Sequence, residues 1–415
     1  MSRSGGAPRA VRRWLEIHET YGPLSIDSIV TNQAARADAW IVGTISRAWL
    51  DYRVGLDSIT HRISRVGLGR GVRPDHRRAR HARIADVQLS VHLEQHLRSL
   101  ASADLFSGTV LVARDTIMVY QGAFGFADGA GRVRNRIDTR FDLASVGKLF
   151  TAVAIAQLAE AGKLSFGDTI ARFQLDLPQA ITRRITVEQL LNHTSGLGEI
   201  GPALDSAMRM TRSVPEMIEL LTDTSLSFAP GSSTQYSNRG YLILGAVIEA
   251  VSGRDYFSYV EDHIFTPAGM SQTAFFADEA PVTNRAERLS RFPTLRSAYV
   301  PGPRRPTPAR LDVRGGPAGG VYSTVGDLFS FVRGLEQGRL LSPAMRGRLT
   351  TSTSDIRPGY GFDLIDGGGY GHRGAAPGAT ASLFFFRSGH TVAVLSNYDS
   401  AAQLVGEYVR ERTGN

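Results

Sequence analysis

The sequence predicts an α+β fold: one antiparallel sheet built from both ends of residues 86–415, flanked by helices, with a mostly helical insertion between them and a small N-terminal α+β appendage over residues 1–85. Three observations predict it. Apolar stretches of strand length cluster at both ends of residues 86–415, the stretch from about 165 to 345 reads as helix and loop, and an arginine-rich run near 70–85 sets off residues 1–85. The chain has 415 residues, 42% hydrophobic and 21% charged, so apolar material for a packed core is ample.

Residues 10–20 read as a short helix, and four β-rich stretches at 23–31, 38–45, 48–56 and 60–68 have the spacing of a meander. A helix is expected over 86–103. Gly108–Ala113 and Thr116–Gly122 form a tight hairpin about Arg114-Asp115. Val146–Ala161 carries Leu149, Val153 and Leu158 at helical spacing, with Gly162 as its stop. Ala381–Arg387 and Thr391–Asn397 flank the turn Ser388-Gly389-His390, and a final helix covers 400–412.

Composition narrows the chemistry. There is no cysteine, which excludes disulfides, a thiol nucleophile and thiolate metal sites. The net charge is +8, and the first 100 residues hold sixteen arginines against nine acidic residues, many of them between Arg70 and Arg83. No aromatic residues interleave with that run, so it reads as a solvated linker and no nucleic-acid partner is expected. No stretch approaches the roughly 20 apolar residues of a membrane span, and the N-terminus lacks a signal-peptide core, so a cytoplasmic protein is expected.

Of 47 basic residues only two are lysine, Lys148 and Lys163. Arginine cannot shed its proton and a buried lysine can, so Lys148 stands out. Ser145-Val-Gly-Lys148 opens the strong helix and puts hydroxyl and amine on one face, one turn apart. The helix N-terminus favours a developing alkoxide, and a desolvated amine can take the serine proton. Taken alone the motif equally fits a helix start followed by a surface lysine.

Tyr236-Ser237-Asn238 precedes a helix over Tyr241–Val251. The phenol can relay protons, and the Asn238 amide can hold either a substrate carbonyl or the lysine; an ordinary helix cap fits the same residues. His372-Arg373-Gly374 stands before the strand 381–387. On an edge strand Gly374 admits substrate backbone, and the amide of Ala375 can donate to an oxyanion. A glycine-rich turn fits these residues too.

Together, S-x-x-K, Y-x-N and H-x-G in that order resemble the serine β-lactamase-like hydrolase superfamily: class C β-lactamases, penicillin-binding proteins, D-amino-acid peptidases and β-lactamase-fold esterases. Phe141-Asp-Leu-Ala-Ser-Val-Gly-Lys148, Ile185–Leu197, Gly319–Ser323 and Gly359–Phe362 are similar to its recurring segments, and the resemblance covers roughly 90–412. It implies catalysis by Ser145, Lys148 and Tyr236 through an acyl-enzyme on Ser145. The oxyanion hole is then the backbone amides of Ser145 and Ala375, and Asn238, His372 and Gly374 bind substrate. No cofactor or metal is implied. Which of Lys148 and Tyr236 is the principal base stays open.

Two features qualify the resemblance. Glu188-Gln-Leu-Leu-Asn192 mimics a class A deacylation segment but precedes Tyr236 in the chain, so it and His193 read as structural. His372 replaces the lysine that antibiotic-hydrolysing and cell-wall members usually carry. A neutral imidazole holds a substrate carboxylate poorly, and Arg373, alternating on the strand, should point away. The expected partner is a small ester or amide substrate, with an esterase favoured over a D-amino-acid peptidase and over a β-lactamase. An acyltransferase or a non-catalytic binding or sensory protein on the same fold are the alternatives. Segments 199–215 and 284–312 are the expected specificity elements. The role of residues 1–85 and the oligomeric state stay open.

Overall fold

A computed structural model describes residues 21–22, 24–33, 36–43, 49–56, 63–70, 84–200, 207, 211–221, 225–276, 283–291, 303–307, 315–351, 359–365 and 369–413. The helix expected at 10–20 and most of the arginine-rich linker lie outside the described residues, as does much of the two expected specificity segments.

Four strands open the described chain: β1 (Leu24–Gln33), β2 (Arg36–Gly43), β3 (Trp49–Leu56) and β4 (Ile63–Arg70). They pair antiparallel in sequence order, and within that sheet only with one another. The expected meander is therefore present, its strands displaced by one to three residues from the expected bounds.

Helix α1 (Asp86–Ser102) leads into the hairpin β5 (Gly108–Arg114) and β6 (Ile117–Phe124). At the far end of the chain lie β7 (Asp363–Ile365), β8 (Gly369–Ala376), β9 (Ala379–Phe385) and β10 (His390–Ser396). Pairing of β10 with β5, Val392 opposite Val112, closes one six-stranded antiparallel sheet in the order β7-β8-β9-β10-β5-β6. The sheet is thus made from both ends of the region.

Strand alternation separates two apolar faces. Val110, Val112, Phe384, Val392 and Val394 meet Leu89, Leu93 and Leu97 of α1 and Val405 and Val409 of the terminal helix α5 (Ala401–Thr413). Leu111, Ala113, Leu383, Ala393 and Leu395 meet the larger core around α2 (Lys148–Glu160), α3 (Asn238–Ser252) and α4 (Val325–Glu336). The strands are apolar on both faces because helices cover both.

Helix α2 is buried nearly all round, and Phe150 anchors it with ring centroids 5.0 Å from both Phe265 and Phe331. Burying such a side chain stabilises by about 1.5–3 kcal/mol. Helix α3 starts where the Ser237 hydroxyl accepts from the Gly240 N–H and stops at Gly253, whose φ of 69° suits a left-handed cap. No helix among the described residues is long and apolar enough to cross a membrane.

Candidate active site

The turn that carries Ser145 is a single 3-10 turn, Ala144–Gly147, between the sheet and α2, so the helix proper begins at Lys148 rather than at Val146. Its geometry is imposed from outside the turn. Asp142 Oδ1 accepts from the Ala144 N–H at 2.7 Å, and the Leu143 N–H donates to the Val321 carbonyl at 2.9 Å. Ala144 takes a φ of 45°, a left-handed value that a non-glycine residue adopts at a cost of order 1–3 kcal/mol. Asp142 also meets Arg288 at 3.4 Å, with both side chains buried.

Lys148 has no exposed surface. Its Nζ donates to Asn238 Oδ1 at 2.6 Å and to the Ala318 carbonyl at 2.5 Å, and it stands 3.4 Å from Ser145 Oγ. The rings of Tyr236 and Tyr241 lie 4.9 and 5.4 Å from it. A neutral amine has two N–H donors and one lone pair. The charged amine has three N–H donors, matched here by Asn238, Ala318 and Ser145. Once it gives up the proton on the serine side, the lone pair faces Ser145 Oγ while the two carbonyl-type acceptors keep the other hydrogens.

Tyr236 keeps 37% of its surface exposed, and its hydroxyl interacts with the Ser145 side chain. Burial pushes the phenol well above its usual value; the carboxylates of Glu199 and Asp363 push the same way, and the Ser145 hydrogen bond opposes them. A resting phenolate is therefore disfavoured, which suits a group that passes protons rather than one that stores negative charge.

His193 lies beneath Tyr236, ring centroids 4.5 Å apart, and its Nδ1 accepts from the Ser237 N–H at 3.2 Å. Burial, then the Lys148 charge and His372, lower its pKa to about 3. It is a neutral imidazole that anchors the Tyr-Ser-Asn loop, the structural reading expected of it. Glu188 behaves likewise: its carboxylate accepts from the Tyr360 hydroxyl at 2.5 Å inside a short helix, Val187–Leu191.

Asn238 meets protein partners at both ends: its carbonyl oxygen faces Lys148, and one Nδ2 hydrogen goes to Glu199 Oε2 at 3.1 Å, which leaves the second N–H able to donate to a substrate carbonyl. Gly374 differs from one expectation. A Cβ there would stand 2.1 Å from the Leu143 carbonyl oxygen and 3.1 Å from the Ser145 nitrogen. The missing side chain makes room for the nucleophile turn, not for substrate backbone. The same closeness sets the Ser145 amide beside the Gly374–Ala375 peptide.

His372 is buried on β8, 6.5 Å between ring centroids from Tyr236, and burial lowers its pKa; the Lys148 and Arg373 charges add to this, while Asp363 and a backbone contact oppose it. Its Nδ1 is 2.6 Å from the Arg373 carbonyl oxygen. The Arg373 guanidinium turns the other way, pairing with Glu407 at 3.1 Å and lying over Phe384, as strand alternation requires.

The structure thus brings Ser145, Lys148, Tyr236, Asn238, His372 and Gly374 together around one turn. Sequence reasoning missed the Ala318 carbonyl and the carboxylates of Glu199 and Asp363. The glycines flanking Ala318 were the available signal for the first; the other two are contacts between distant segments with no local signature.

The beta-lactamase family model matches residues 93–411. A putative penicillin-binding protein PbpX of Bacillus subtilis is 30% identical over 302 residues, covering 72% of each chain. The penicillin binding protein from Bacillus halodurans superposes with a TM-score of 0.66 at 30% identity, over 76% of this chain and 99% of its own. A D-stereospecific amidohydrolase from a Streptomyces species gives 0.63 at 27% identity, over 77% and 97%. With this sheet, and a family match spanning residues 93–411, the chain belongs to the beta-lactamase family.

Proposed function

We propose that the protein is a serine hydrolase that cleaves an ester or amide through an acyl-enzyme on Ser145, with esters preferred. The observation that carries the proposal is Lys148: fully buried, its Nζ held by the Asn238 and Ala318 carbonyl oxygens within 3.4 Å of Ser145 Oγ. Ser145 Oγ attacks the substrate carbonyl carbon as its proton passes to the Lys148 amine. The oxyanion accepts from the Ser145 and Ala375 amides. Collapse breaks the bond to the leaving group, which leaves with a proton delivered through Tyr236. Water then repeats the sequence, giving up a proton, and releases the acid and free Ser145.

Charge supports the substrate preference. Neutral His372 stands where a cation would hold a substrate carboxylate, Arg373 is engaged with Glu407, and the carboxylates of Glu199 and Asp363 act on Tyr236. An anionic acyl donor, such as a β-lactam carboxylate, is disfavoured there. The same carboxylates suit an ammonium on the acyl group, so a D-amino-acid amidase or peptidase is the second reading; the likeness to the Streptomyces amidohydrolase supports it. We also assign residues 1–85 to an appendage separate from the hydrolase, on the self-contained pairing of its four strands.

The test is a panel of short-chain p-nitrophenyl esters, D-alanyl p-nitroanilide and nitrocefin, with and without Ser145→Ala. Ester turnover that exceeds the others and vanishes in the variant is expected. Faster turnover of the D-alanyl amide selects the second reading. No turnover, with no fluorophosphonate label on Ser145, overturns both in favour of a binding role.

A further inference from the structure

The Asn238 side chain sits between two partners of opposite character. On one side is the Lys148 amine, whose hydrogens can only donate; on the other is the Glu199 carboxylate, whose oxygens can only accept. The amide direction is therefore dictated by chemistry: oxygen towards the amine, NH2 towards the carboxylate. Turned about, the NH2 would donate into the amine lone pair whenever the amine is neutral. The lone pair would then point at Asn238 instead of at Ser145 Oγ, 3.4 Å away on the other side.

Glu199 is brought to this place by the backbone. The Ser237 hydroxyl donates to the Gly198 carbonyl at 3.3 Å, which lays residues 198–199 alongside 237–238. Gly198 follows the His193-Thr-Ser-Gly-Leu197 turn, which is tied to the same loop through His193 Nδ1 and the Ser237 N–H. The carboxylate itself is exposed and, among the hydrogen bonds of the described residues, makes that one to Asn238.

We propose that Glu199 is a positioning residue for the general base: it holds the Asn238 amide in the one orientation that leaves the Lys148 lone pair directed at Ser145. It acts through Asn238 and touches neither nucleophile nor substrate. The inference rests on the serine-hydrolase reading given above. It adds a residue outside the three sequence motifs to the machinery that keeps the amine available.

The measurement is kcat and KM for an ester substrate in Glu199→Ala and Glu199→Gln, with thermal midpoints for both. Glutamine keeps an oxygen that can accept from Asn238 Nδ2; alanine keeps none. Losing one charge-assisted hydrogen bond is expected to lower kcat of Glu199→Ala about tenfold, with KM within about twofold. Glu199→Gln is expected to recover kcat to within about threefold of the parent, and neither thermal midpoint should fall. Parental kcat in Glu199→Ala overturns the inference, and so does an equal loss in both variants, since orientation alone distinguishes them. Ser145→Ala runs alongside: turnover surviving there overturns the serine mechanism itself. A dead Ser145→Ala beside a fully active Glu199→Ala overturns only the role of Glu199.

Discussion

Replacing His193 by asparagine isolates one titration in the core of the site. Asparagine tolerates the left-handed backbone at this position, where φ is 59°, and its side-chain oxygen can take over acceptance from the Ser237 N–H. Burial lowers the folded imidazole's pKa from its ordinary 6.5 to about 3. A depressed histidine pKa means that the unfolded chain binds the proton first. Stability is therefore complete above about pH 6.5 and is lost as pH falls from there towards 3. Between pH 7 and pH 5 the linkage amounts to about 2 kcal/mol, at roughly 1.4 kcal/mol per unit once below the unfolded pKa. His372 shifts in the same direction, is present in both proteins, and cancels in the difference. The assay is urea denaturation at the two pH values, followed by circular dichroism, because all three tryptophans, Trp14, Trp40 and Trp49, lie within the first 50 residues, far along the chain from His193. The parent should lose about 2 kcal/mol more than His193→Asn over that interval. Equal losses would refute the neutral buried imidazole and its anchoring of the Tyr236 loop.

Gly374→Ala forces a Cβ to within 2.1 Å of the Leu143 carbonyl oxygen, a backbone atom, so the nucleophile turn must move. Displacement on the ångström scale is expected to lower kcat about a hundredfold while the protein stays folded, measured by steady-state kinetics beside a melting curve. Phe150→Ala empties the contact shared by Phe265 and Phe331 and should cost about 3–5 kcal/mol in denaturant titration. A loss below about 1 kcal/mol would mean that the α2 core is not packed as described.

Much of the architecture was legible because it rests on local patterns. The strands β5, β9 and β10 are apolar runs bounded by turns, and α1, α2 and α5 carry helical spacing, so each lies within a few residues of its expected bounds. Strand β8 was legible only in part. Gly369, Gly371 and Gly374 left it open between an edge strand and a glycine-rich turn, since glycine has no side chain to signal a pleated face. They are there because backbone comes too close for anything else: a Cβ on Gly371 would stand 2.0 Å from the Leu383 oxygen. The 3-10 start of α2 was also hidden, because it depends on Asp142 capping Ala144 rather than on helix spacing.

Within the site, the residue types needed for acyl transfer were readable from three short motifs, since the chemistry constrains them individually. Their division of labour was not. Asn238 fitted both a substrate ligand and a lysine partner, and only the positions of Lys148 and Glu199 on its two sides show the lysine contact. The Ala318 carbonyl has no side chain to betray it, and it lies 170 residues from the lysine it accepts from.

The claim on which the account turns is that the buried Lys148 amine activates Ser145. Fluorophosphonate labelling with peptide mapping tests it directly, comparing the parent with Lys148→Arg, whose guanidinium cannot give up its proton. The expected result is stoichiometric label on Ser145 in the parent and labelling at least about a hundredfold slower in a folded Lys148→Arg. Label on another residue, or equal rates in the two proteins, would contradict the account.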